Sequence, residues 1–174
     1  MSPQPAAPDR KVTSPRPGAA HRVHLAASGV SVLLDVTDGR VPAIAHWGRA
    51  LGTLGPEGLD ALCEATVPPV PQNLVDVPVR VGLLPQVSDG WLGRPGLAGS
   101  RPDGSGWTPR LITRGLRIDG TPLTGAHAET GAAHVEIDLE DPDEGLAVLL
   151  ELRDRLEGAV TTLRDTLAGK AEEF

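Results

Sequence analysis

Val30, Val32, Leu34 and Val36 occupy every second position of one short stretch. Successive side chains of an extended strand point to opposite faces, so this spacing gives a strand one continuous apolar face. The same period recurs along the chain. Val23 and Leu25 alternate with Arg22 and His24, and Val135, Ile137 and Leu139 alternate with His134, Glu136 and Asp138. Val75, Val77, Val79, Val81 and Leu83 form the longest alternation, broken by Pro78. A proline cannot donate to a ladder, so that stretch is expected to be an edge strand or a bulged one. Asp38-Gly39 and Asp119-Gly120 supply turns, because tight hairpin turns need positive φ. Val41 to Trp47 then reads as the return strand of the first hairpin, and Leu111 to Ile118 as a further strand. The chain reads as a β-scaffold.

One helix interrupts the strands. Gly55 to Thr66 places Pro56 in a first turn and Leu59, Leu62 and Cys63 on one face, which predicts a short helix near 56–65. Cys63 is accordingly expected in the core rather than as a nucleophile, since nothing around it suggests a reactive thiol. Pro68, Pro69 and Pro71 end the helix and open a linker.

Between Gly90 and Leu111 the pattern stops. The stretch GWLGRPGLAGSRPDGSGWTPRL holds six glycines and two of the three tryptophans, Trp91 and Trp107, in a chain with one Phe and no Tyr. Glycine loses more backbone freedom on ordering than any other residue, so regular structure is unfavourable here. A long loop is expected, and large aromatics within it argue for a functional loop over plain disorder.

The last segment is ambiguous. Leu149, Leu152, Leu156, Val160, Leu163 and Leu167 follow helical spacing, yet Val148, Leu150 and Leu152 also alternate, with Glu157-Gly158 where a hairpin turn could lie. Periodicity favours helix, and the strands before it favour a hairpin.

Bulk properties limit the function classes. At 174 residues a single domain is expected, burying roughly 70% of its unfolded surface. Aromatics make up only 2% of the chain, so Val, Leu, Ile and Ala must build the core. A net charge of −7 argues against a nucleic-acid footprint. One cysteine allows no internal disulfide, no apolar run reaches membrane-spanning length, and no secretory signal is visible. These point to a cytoplasmic protein with no membrane partner. Residues 1–20 carry five prolines and no apolar period, and are expected to be a disordered Pro-rich tail.

Chemical motifs are few. His21, His24, His46, His127 and His134 show no metal-ligand spacing, and His24 and His134 are expected to be solvated on polar strand faces. Glu136, Asp138, Glu140, Asp141, Asp143 and Glu144 lack the calcium-loop spacing and read as a solvated strand face. Gly93, Gly96 and Gly99 do not make a dinucleotide fingerprint, and no nucleophile elbow is present. No metal, cofactor or catalytic residue is expected.

IAHWGRALG (Ile44–Gly52), the run from Val67 to Arg101, GWTPRL (Gly106–Leu111) and GAVTTLRDTL (Gly158–Leu167) stand in an order that resembles the N-terminal β-supersandwich domain of bacterial α-galactosidases, the melibiase-like glycoside hydrolases. The resemblance covers most of His21 to Leu167. It implies an antiparallel β-sandwich over 21–168 that is followed in the family by a (β/α)8 catalytic barrel. It also decides the ambiguous segment in favour of a hairpin around Glu157-Gly158. The family hydrolyses terminal α-galactosides with retention, using two barrel aspartates that this chain does not include. The chain is therefore expected to be a truncated product or an isolated N-terminal domain, inactive alone, with 169–174 a truncated or frayed end. Its expected partners are the catalytic barrel, neighbouring subunits and α-galactoside sugars.

Many members carry Asp, aromatic, Arg, x, Pro near the end of the long loop. Here Trp107 and Pro109 match, the Asp and Arg are absent, and Arg110 falls past the proline. Trp107, and with it Trp91, are the substrate-rim candidates, because an aromatic face can pack on a sugar. Two alternatives stay open at this point: an independent carbohydrate-binding module using the same tryptophans, and a purely structural assembly domain.

Overall fold

The computed structural model describes residues 20–70, 72, 76–131, 133–155 and 158–167, with 154–155 and 158–167 as backbone. Residues 1–19, most of the expected tail, lie outside the described residues, as do Val75, Glu157 and 169–174.

Two sheets form. The first has the order β3-β2-β1-β6, from β1 (Ala20–Ala27), β2 (Val30–Thr37), β3 (Ala43–Arg49) and β6 (His127–Thr130). The second has the order β5-β4-β7-β8-β9, from β4 (Ile112–Ile118), β5 (Thr121–Pro122), β7 (His134–Asp141), β8 (Leu146–Arg155) and β9 (Gly158–Leu167). All pairings are antiparallel except that of β6 with β1. The expected mostly-β sandwich with one helix, α1 (Gly55–Ala65), is what the chain adopts.

The alternating residues build the core between the sheets. Val23, Leu25, Val32, Leu34 and Val36 from the first sheet meet Leu116, Val135, Ile137, Leu139, Val148, Leu150 and Leu152 from the second. Asp-Gly turns set the hairpin register, with Asp38 at φ 57° and Asp119 at φ 49°, each followed by a left-handed glycine. The final segment is a hairpin: β8 pairs with β9 from Leu146↔Leu167 to Arg155↔Gly158. Cross-strand burial of Val148, Leu150 and Leu152 therefore prevails over the helical spacing of the leucines.

The outer face of the first sheet is not solvated. Helix α1 covers it, burying Leu59 and Cys63 against Leu33. Beside them, Arg22, His24, Ser31 and Asp35 are buried too. This corrects the expectation that His24 faces solvent: its Nε2 lies 2.9 Å from Ser31 Oγ. Asp35 accepts from Arg22 Nη1 at 2.6 Å, from Thr37 Oγ1 at 2.6 Å and from Arg80. Asp60 of α1 reaches Arg22 Nε at 3.3 Å and His127 Nε2 at 3.0 Å. A buried polar group is tolerated only when bonded, and here the ion pairs knit helix to sheet. Desolvation holds the Arg80 guanidinium below its ordinary range, with nearby Arg22 adding to the effect.

The expected strand over Val75–Leu83 does not form. Among its described residues only Gly82 makes a ladder contact, an isolated bridge to Ala43, and Val77 and Val81 are exposed. Pro78 removes a donor, and Arg80 turns inward to Asp35, so the segment crosses the sheet edge instead of joining it. Among the described residues, no helix is long and apolar enough to cross a membrane.

Candidate functional site

The expected loop between Gly90 and Leu111 has no regular structure. It is nevertheless closely fixed, and side chains outside the glycine-rich stretch hold it. Gln86 is buried, and its amide spans the base of the loop: Oε1 accepts from Leu111 N at 2.6 Å and Nε2 donates to Leu111 O at 3.0 Å. Nε2 also donates to Asp89 Oδ2 at 3.0 Å. A 3-10 turn at Val87–Asp89 starts the excursion, Gly90 ends that turn at φ 86°, and Trp91 N donates back to Gln86 O at 3.2 Å. The loop then returns to its base, where Gly96 N donates to Pro85 O at 2.8 Å. A Cβ at Gly96 would sit 2.8 Å from Leu84 Cα, so close backbone approach requires glycine there.

The second half of the loop docks on the turn between β7 and β8. Asp141 is fully buried, contrary to the reading of Glu136–Glu144 as a solvated face. Its Oδ2 accepts from Arg110 N at 2.6 Å, and its Oδ1 accepts from Asp143 N at 3.0 Å and Glu144 N at 3.1 Å. Arg101 pairs with Glu144 Oε2 at 2.6 Å and also donates to the Glu144 carbonyl. At the tip, Asp103 Oδ1 accepts from Ser105 N at 2.9 Å and Ser105 Oγ at 2.7 Å. These two hydrogen bonds hold the Asp103 carboxyl below its ordinary range.

The two rim candidates occupy different settings. Trp91 is half-buried, with its ring over Gly93 and its Nε1 donating to Arg94 O at 2.9 Å. Its N–H therefore serves the loop itself. Trp107 is 69% exposed and borders a shallow depression lined by Pro85, Val87, Pro95, Leu97 and Pro109. Leu92 and Val87 are also exposed, and Val87 borders the same depression as Trp107. Large exposed apolar areas on a folded domain mark contact surfaces.

Glu136 and Asp138 pair with Arg117, whose Nε lies 2.7 Å from Glu136 Oε2. Those carboxylates, Asp138 foremost, raise the Arg117 guanidinium above its ordinary range against the opposing effect of burial. Burial pushes the Cys63 thiol up, which removes it as a nucleophile near neutral pH.

The family model for the glycosyl hydrolase family 36 N-terminal domain matches residues 40–173. The chain belongs to this family. No curated protein and no solved structure gives a significant match. A family 36 N-terminal domain is a non-catalytic part of a glycoside hydrolase, associated with a catalytic domain in the full enzyme, and the 174 residues contain no catalytic barrel. Gln86 and Asp141 carry no advance signal as loop anchors, except that Asp141 precedes Pro142-Asp143-Glu144-Gly145, an Asx-turn composition.

Proposed function

We propose that the chain is the N-terminal domain of an α-galactosidase acting on terminal α-galactosides in the cytoplasm. It packs on the catalytic barrel and contributes the 90–111 loop to the rim of an active site, in its own subunit or in a neighbour. Trp107 is the contact residue, and Trp91 stiffens the loop beneath it. The observation that carries this reading is a largely exposed tryptophan on a loop whose base and far side are both bonded down. A rigid aromatic loses little entropy on binding, and its face suits the apolar side of a sugar or a barrel loop.

The test is Trp107→Ala in the domain joined to its barrel, assayed on α-galactosides of increasing length. A rim contact is worth about 1–3 kcal/mol, or roughly 5- to 150-fold in kcat/KM, on substrates that reach it. The loss should fall mainly on KM and be absent for the shortest chromogenic substrate. Equal loss on all substrates indicates a packing role for Trp107. Saturable quenching of tryptophan fluorescence by free galactosides in the domain alone would favour an independent sugar-binding module.

A further inference from the structure

The pairing of β7 with β8 brings Glu151 of β8 against two side chains of β7. His134 and Glu136 are two residues apart on β7, so they share a sheet face, and Glu136 stands directly opposite Glu151 of β8. This is the outer face of the second sheet, opposite the one carrying Val135 and Ile137 into the core. Candidate ligand atoms of His134, Glu136 and Glu151 all lie within 4.8 Å of one another. His134 Nε2 is 3.8 Å from Glu151 Oε1.

Two features separate this group from an ordinary surface cluster. Glu151 is 4% exposed, so its carboxylate is held inside the sheet surface rather than solvated. His134 Nε2 is itself shielded from solvent and has no hydrogen-bond partner among the described residues, although the His134 side chain as a whole is 30% exposed. This corrects the expectation of a solvated His134. A shielded ring nitrogen facing two carboxylates lacks the partner that buried polar atoms ordinarily have. Directly opposed carboxylates repel across a sheet, and Arg117 and Arg153 offset this from the sides. Arg117 Nε holds Glu136 Oε2 at 2.7 Å and pairs with Asp138, and Arg153 Nη2 holds Glu151 Oε2 at 3.3 Å.

We propose that His134, Glu136 and Glu151 bind one divalent transition-metal ion, Zn2+ foremost, which cross-links β7 to β8. One imidazole and two carboxylates form a donor set that suits zinc and its neighbours rather than calcium or magnesium, which take oxygen ligands alone. Zn–N and Zn–O bonds of about 2.0–2.2 Å place ligand atoms roughly 3.3–3.6 Å apart in a tetrahedron. The 3.8 Å pair is therefore nearly in place, and a small shift of Glu136 that keeps Oε2 on Arg117 closes the rest. The arginines then act as the outer shell that orients each carboxylate. Water completes the coordination from the side on which His134 is exposed. The site has no link to glycoside hydrolysis and stands whether or not the loop contacts a sugar.

The test is calorimetric titration of ZnCl2 into the full 174-residue chain after chelator treatment, with MgCl2 and CaCl2 as comparisons. One equivalent of zinc should bind and raise the thermal midpoint, while magnesium and calcium should not. His134→Gln and Glu151→Gln should each weaken binding by at least roughly tenfold, with the unfolding midpoint in chelator unchanged for His134→Gln. In the unaltered chain, Mn2+ should broaden the amide resonances of 134–136 and 150–152 first, a readout independent of any variant. No zinc binding would overturn the proposal. So would binding that His134→Gln leaves intact, or broadening centred on another histidine.

Discussion

Gln86 is the residue on which the loop's position depends, and its removal has a calculable consequence. In Gln86→Ala the backbone N–H and C=O of Leu111 lose their partners at 2.6 and 3.0 Å, in a place where Leu111 is 2% exposed. An orphaned buried polar group costs about 1–3 kcal/mol. Two such groups, partly relieved by water entering the space the side chain leaves, give a loss of about 2–4 kcal/mol. For a domain of this size that lowers the thermal midpoint by roughly 5–15 °C. Gln86→Glu keeps an acceptor for Leu111 N but loses the donor to Leu111 O and places a carboxylate beside Asp89. It should therefore be destabilised comparably at neutral pH. Denaturant unfolding measures the loss, and amide exchange locates it: protection should fall at Leu111 and Trp91 before it falls in β7. A Gln86→Ala protein within about 0.5 kcal/mol of the parent, the range of ordinary surface changes, with exchange at Leu111 unchanged, would refute the clamp.

Two glycines of the loop separate a steric requirement from mere flexibility. Gly96→Ala drives a Cβ to 2.8 Å from Leu84 Cα and should cost about 1–3 kcal/mol in chemical denaturation, whereas Gly99→Ala, which meets nothing within 4 Å, should be near neutral. Cys63 should resist a thiol reagent in the folded chain and react on unfolding, and fast native labelling would contradict its burial on the inner face of α1. Because burial makes the folded thiol hold its proton more tightly than the unfolded chain does, stability should decline as pH rises past the ordinary thiol range, and Cys63→Ala should remove that decline.

Strands whose inner face alternates were legible because burial of one face leaves a period-two trace. Val135, Ile137 and Leu139 are the clearest example, and each lies in the core. The Asp-Gly turns were legible for a local reason, the positive φ their geometry demands. The Val75–Leu83 stretch shows the limit of this signal. Its alternation is as regular as any, yet a strand also needs a partner with free donors and acceptors, and Pro78 and the inward Arg80 leave only one bridge. The polar layer beneath α1 was invisible for a related reason. Arg22, His24 and Asp35 look like a solvated face unless the covering helix is known, and the parallel β6, only four residues long, gives no warning of its position. The loop was recognisable from its glycines and tryptophans. Its anchors were not, because Gln86 and Asp141 act through backbone atoms that carry no residue identity. The His134, Glu136 and Glu151 cluster depends on the register of β7 with β8, which no single segment reveals.

A non-catalytic family 36 N-terminal domain should support hydrolysis only through a partner barrel. The most direct measurement is turnover of a chromogenic α-galactoside by the purified chain, by a separately expressed catalytic barrel from the same genome, and by the two together. The chain alone should give no turnover, and turnover by the barrel should rise when the domain is added and fall again with Trp107→Ala. Hydrolysis by the chain alone, abolished by changing one of its own carboxylates, would contradict it.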